Sequence, residues 1–265
     1  MLGLTALYLL IFLGEDIMGR HPSRSSSLSG FTAQAAASFK PPQPCQHAKD
    51  VVDICFNLVH ELVKTGKCVR LNKRENSILY LSALFHDIGK DRVPPELLYA
   101  SRKLTEKEFD KVKEHTQFGY EYLKKQPIGF FNRYLKEAQR EGYDVALLGE
   151  HDKKAVESIS RTVRHHHEKL NGTGYPAGLK ARNVSLGMRV VAVADAYHAL
   201  RSKRSYKEDC PEGECVNTLW QEVRAGRFDG NVVEAMTFIA DEGQRAPSRK
   251  LKPMREMRLA APAPL

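Results

Sequence analysis

From His47 onward the apolar residues of this chain recur every three to four positions, the spacing of one helical face. Val51, Ile54, Cys55, Leu58 and Leu62 form one stripe, and His47 lies on it. Ile78, Leu81, Leu84 and Phe85 mark a second helix, from Lys73 to Asp87, which Gly89 breaks. Thr105 and Glu108 have the spacing of a capping box. They open a helix whose inward positions are Phe109, Val112, His115, Thr116, Gly119 and Leu123. Val156, Ile159 and Val163 lead to His166 and His167 at the end of another helix. Ser185 caps a further helix through Val190, Val193, Ala194, Tyr197 and Leu200, with Asp195 beside the stripe, in line with Val191 and His198. No segment sustains the alternation of a strand, so the pattern predicts an all-α fold.

The flanks read differently. Leu2–Leu13 is an apolar run too short to cross a bilayer as a helix, and no Lys or Arg precedes it. It predicts no stable membrane insertion, and reads as a docking helix or the end of an upstream one. Residues 19–44 are rich in Ser, Pro, Gly and Ala, and residues from Gly243 onward have a similar but basic composition. The expected organisation is an apolar segment and disordered linker over 1–44, one domain over 45–242 and a disordered basic tail over 243–265. Five cysteines without a CxxC pair predict reduced thiols and a cytoplasmic protein. The formal net charge of +9 suits an anionic small molecule. Without aromatic residues interleaved among the basic ones, it predicts no nucleic-acid partner.

The candidate chemistry lies in histidines and aspartates on or beside the inward faces: His47, His86, Asp87, His115, His166, His167 and Asp195. A lone inward histidine is ordinarily a hydrogen-bonded core residue. A His-Asp pair and a His-His pair on inward edges are harder to explain in that way, because each unpartnered buried ionisable group costs several kcal/mol. Imidazole and carboxylate are ligands for divalent metals, and a shared site removes that cost. Paired metals of this kind hydrolyse phosphate esters.

Five segments together resemble the HD-GYP subgroup of the HD phosphohydrolase superfamily: LFHDIGK, KVKEHTQFGYEYL, HHEKLNGTGYPAGL, VSLGMRVVAVADAYHALRSKRSYK and GRFDGNVVEAM. They cover Cys45 to Ala240. The resemblance implies a bundle of five to seven helices and a centre of two, sometimes three, iron or manganese ions. It implies hydrolysis of cyclic di-GMP to pGpG, GMP or both. By position, the seven residues named above match the family's metal ligands, with Asp87 bridging two ions. Gln43 stands where trinuclear members carry Glu, so two ions are expected. Asp87 and Lys90 match catalytic positions. Lys90, Gly174, Tyr175, Arg204 and Lys207 match residues that bind the substrate, and Gly172, Gly174, Tyr175 and Pro176 match the GYP loop, which the resemblance implies as a docking place for signalling proteins. A degenerate module that binds cyclic di-GMP or a partner protein without turnover is the alternative. A third reading is hydrolysis of another phosphoester.

The chain departs from the family pattern at several places. Asn171 replaces Asp before the GYP loop, and His198 replaces the second Asp of DxxDAL. Lys203 and Ser205 replace the Asp and Pro of a DRPY-like segment, and Gly230 replaces the Pro of FDP. His198 is expected to orient a ligand from behind. An unusually long 51 positions separate His115 from His166, and the extra segment, Gly129 to Asp152, reads as a partly helical lid or partner surface.

Overall fold

The computed structural model describes residues 44–100, 102–202 and 211–245, with side chains to residue 241. The apolar run Leu2–Leu13, Gln43, Lys203, Arg204, Ser205, Lys207 and most of the basic tail lie outside the described residues. The helices are α1 (Gln46–Lys64), α2 (Lys73–Phe85), α3 (Pro95–Leu98), α4 (Glu106–Lys124), α5 (Ile128–Arg140), α6 (Lys153–His165), α7 (Leu186–Arg201), α8 (Glu212–Arg224) and α9 (Gly230–Arg245). Two 3₁₀ turns, Ile88–Arg92 and Ala181–Asn183, join them. Among the described residues there is no strand, only an isolated bridge between Asn171 and Lys180. The all-α expectation holds. The helices outnumber the expected five to seven because α3 is a single turn and α5 lies in the long segment.

Local sequence sets the helix starts. Thr105 and Glu108 form the expected capping box, and Ser185 accepts from the Met188 amide. Asn72 and Glu75 form a second capping box at the start of α2. Gly230 opens α9, where the Asp229 carboxylate accepts from the Asn231 amide.

Helix α1 is the spine, packed against α2, α7 and α9, with Val51, Cys55 and Leu58 fully buried. Helix α7 departs from its predicted single stripe. Val190 to Tyr197 are all buried, so it runs through the interior and not along its surface. Helix α4 lies against α6 and against the turn Ile88–Arg92.

The segment from Gly129 to Asp152 is not a lid. Phe131, Leu135 and Ala138 of α5 are fully buried in the main core, and Phe130 stacks on Phe85 with ring centroids 5.5 Å apart. The return after α5 is tied by Asn132, which donates to the Leu148 carbonyl and accepts from its amide. With apolar residues on one face of α5, the segment buries that face in the core it extends.

Candidate metal centre

Three histidines are held by one local device. His86 closes α2, His115 sits mid-helix in α4, and His166 closes α6. In each, Nδ1 lies 2.7–2.8 Å from the carbonyl three residues earlier: Ala83, Val112 and Val163. A carbonyl only accepts, so Nδ1 carries the hydrogen, and whenever the ring is neutral its Nε2 lone pair points inward. This is the tautomer that a metal ligand needs.

The inward donors form two groups that share Asp87. One is His47, His86, Asp87 and Asp195; the other is Asp87, His115, His166 and His167. Within each, one ligand atom per residue lies within 4.8 Å of the others. Asp87 Oδ2 is 3.2 Å from His86 Nε2 and 3.7 Å from His47 Nε2. Asp87 Oδ1 faces the other way, 3.5 Å from His115 Nε2 and 3.9 Å from His166 Nε2. Asp195 Oδ1 completes the first group, 3.5 Å from His47 Nε2 and 3.6 Å from His86 Nε2. All seven residues expected to hold metal are thus brought together.

A close approach permits this. A Cβ at Gly89 would sit 1.9 Å from the His115 carbonyl oxygen and 2.6 Å from the Gly119 nitrogen. Only glycine lets the turn after Asp87 lie directly on α4, so Gly89 serves proximity, while α2 itself ends earlier, at Phe85. Lys90 follows in that turn, buried, with Nζ 2.5 Å from Asp87 Oδ2.

The electrostatics fit a cation between the groups. Burial pulls the His115 pKa down to about 4 and the His166 pKa to about 3. Burial likewise holds His167 well below the ordinary value. These rings are neutral at pH 7. Burial alone would raise Asp87, but Lys90 and His86 outweigh it and keep the carboxylate charged. His86 is pulled down by burial and lifted further by Asp87 and Asp195, which favour positive charge between them. Asp87 Oδ1 and His166 Nε2 are buried without a hydrogen-bond partner among the described residues. Two carboxylates, five imidazoles and those orphaned atoms are a donor set that fits two divalent ions.

The loop after His167 closes one side of the site. Two of its glycines, Gly172 and Gly174, do different work. Gly172 has φ +83°, whereas a Cβ at Gly174 would lie 2.4 Å from the Lys169 nitrogen and 2.5 Å from the Glu168 Cα. Tyr175 stacks on His167 with centroids 4.9 Å apart. Asn171 is fitted to its place: its carbonyl oxygen accepts from the Thr173 amide and hydroxyl, and its amide donates to the Ala225 carbonyl. A carboxylate could not make the last bond.

Other working residues were missed in the sequence. Glu168, buried, accepts from the Ala177 and Leu179 amides at 2.7 and 2.8 Å, clasping the loop. Lys169 lies over the Phe228 ring at 4.0 Å, and burial lowers its pKa to about 8. Asp50 meets His198. Glu168 stands inside the HHE motif, a usable signal; the other two become meaningful only once remote helices are placed.

A family model described as HD domain matches residues 32–232. The chain is 29% identical over 191 residues to 3′3′-cGAMP-specific phosphodiesterase 1 of Vibrio cholerae, covering 72% of this chain and 36% of that one. It is 34% identical over 166 residues to the cyclic di-GMP phosphodiesterase response regulator RpfG of Xanthomonas campestris, covering 63% and 37%. It is 30% identical over 164 residues to a cyclic di-GMP phosphodiesterase of Thermotoga maritima, covering 62% and 38%. The chain spans little more than a third of the length of these relatives. With the HDIGK turn, the HHE helix end and the GTGYP loop arranged around one cluster of donors, the chain belongs to the HD domain family, in its HD-GYP branch.

Proposed function

We propose that the unit from 45 to 242 is a metal-dependent phosphodiesterase that opens cyclic di-GMP to pGpG, GMP or both, in cytoplasmic second-messenger signalling. The observation that carries this reading is the pair of four-donor groups sharing Asp87. His47, His86, Asp87 and Asp195 would hold one ion, and Asp87, His115, His166 and His167 the other, each iron or manganese. Two ions in such a site supply a nucleophile at neutral pH and offset charge on the phosphoryl oxygens.

The chain's own residues do the rest. Lys90, buried beside Asp87, places an ammonium where a phosphate oxygen can share it. Tyr175, fixed against His167, gives a planar wall to a nucleotide pocket, and Gly174 lets that wall approach. Arg204 and Lys207 are assigned to the phosphates by their position in the family pattern. The exposed tip at Pro176 to Gly178 is the proposed surface for a signalling protein. Among the described residues no helix is long and apolar enough to cross a membrane.

One observation favours a neighbouring substrate: the relative that covers most of this chain among those above bears the name of a 3′3′-cGAMP-specific enzyme. The full set of seven donors argues against a degenerate binding module. Anaerobically purified protein, loaded with iron(II) or manganese(II), is offered cyclic di-GMP, 3′3′-cGAMP and pGpG, and products are separated by chromatography. Preferential opening of cyclic di-GMP supports the proposal. Binding of all three without product refutes it in favour of the binding module, and preference for 3′3′-cGAMP reassigns the substrate.

A further inference from the structure

His47 differs from His86, His115 and His166 in having no carbonyl to hold it. It is the second residue of α1, so the residue three before it, Pro44, precedes the helix. The carbonyl device that fixes His86, His115 and His166 is not on offer at a helix start. What faces His47 Nδ1 is another ring nitrogen, Nδ1 of His198 on α7, at 2.9 Å. Two facing nitrogens bond only when one carries the hydrogen.

The other side of His198 decides which. Its Nε2 lies 3.1 Å from Asp50 Oδ2, and a carboxylate only accepts, so Nε2 carries the hydrogen. Nδ1 of neutral His198 is then an acceptor, and the nearby Ser202 hydroxyl donates to the His198 carbonyl at 2.9 Å. His47 Nδ1 must donate, and its Nε2 lone pair points at His86, Asp87 and Asp195. We infer that Asp50 and His198 form a positioning relay that fixes the tautomer and aim of His47. The imidazole of His198 thereby spans the gap between α7 and α1. The inference rests on the metal-centre reading and narrows it: the relay serves the His47 group and leaves the His115 group alone.

The test is manganese(II) binding to the full chain, read from the EPR signal of free ion, beside unfolding of the chelator-treated protein. His198→Phe keeps a ring and removes both nitrogens. The first group is expected to lose roughly 10- to 100-fold in affinity, as when an outer partner of a metal-bound histidine is removed. The second group keeps its affinity, and metal-free stability is unchanged. His198→Gln retains one acceptor and one donor and is expected to restore binding. Asp50→Ala, at a half-exposed position, is expected to weaken the same site and covers the case in which His198→Phe does not fold. Wild-type binding of two ions together with unaltered binding in folded His198→Phe or Asp50→Ala overturns the relay alone. Equal weakening of both sites, or no rescue by Gln, also overturns it. Fewer than two ions in the wild type overturns the metal-centre reading and this inference with it.

Discussion

Asp87 faces His47 and His86 with one oxygen and His115 and His166 with the other, so its removal should weaken both groups together. Asp87→Ala is predicted to lower manganese(II) affinity at both sites by more than roughly 100-fold, beyond the loss of an outer partner. Binding titrations check this, and loss at only one site would mean that the two groups do not share the residue. The seven donors were legible in the sequence because they fall in short motifs on predicted inward faces. The register of the run His165–His167 was legible through the HHE pattern, and His165 stays outside both groups, facing Glu168 at 3.4 Å. Asp50 was not legible: its partner is 148 positions away, and nothing local marks it as different from a solvated helix aspartate.

At the scale of elements, the helix period located α1, α2, α4, α6 and α7 because each buries a face or caps its start with a recognisable residue. It misjudged the 129–152 segment, since length relative to a family pattern carries no information about whether an insertion packs. Phe131 is fully buried in α5, and Phe131→Ala is predicted to cost about 3–5 kcal/mol of stability in denaturant unfolding. A lid would lose almost nothing. The loop at 172–178 makes the complementary point. Gly174→Ala would drive a Cβ into the Lys169 backbone, which cannot yield as a flexible side chain can. That variant is predicted to detach Tyr175 from His167, raising KM for the nucleotide while both metals remain bound. Loss of metal with unchanged KM would show that the loop supports the ligands instead.

Over the whole molecule, buried neutral histidines tie stability to pH. Burial depresses His115 to about 4 and His166 to about 3, and holds His167 well below its ordinary value. The unfolded chain therefore binds more protons below about 6.5, and stability falls as pH drops toward 4, by roughly 1.4 kcal/mol per unit for each fully titrating histidine. His86 acts with opposite sign: its raised pKa adds stability below about 6.5 that is lost as pH climbs through the folded value. Three depressed histidines outweigh one at acid pH. Chelator-treated protein is predicted to show a melting temperature that falls steadily from pH 6.5 to 4. A flat profile there would mean that these rings are solvated. The sequence conveyed the all-α class and the meeting of five distant segments, because the motifs imply their own convergence. It could not convey that α7 runs through the centre, since that depends on what the other helices leave uncovered.

The central claim is that one aspartate joins two metal positions. The most direct test is the anomalous diffraction of crystals grown with manganese(II), recorded at the manganese edge. Two peaks on either side of Asp87 are predicted, one among His47, His86 and Asp195 and the other among His115, His166 and His167. A single peak, or peaks away from Asp87, would contradict the account.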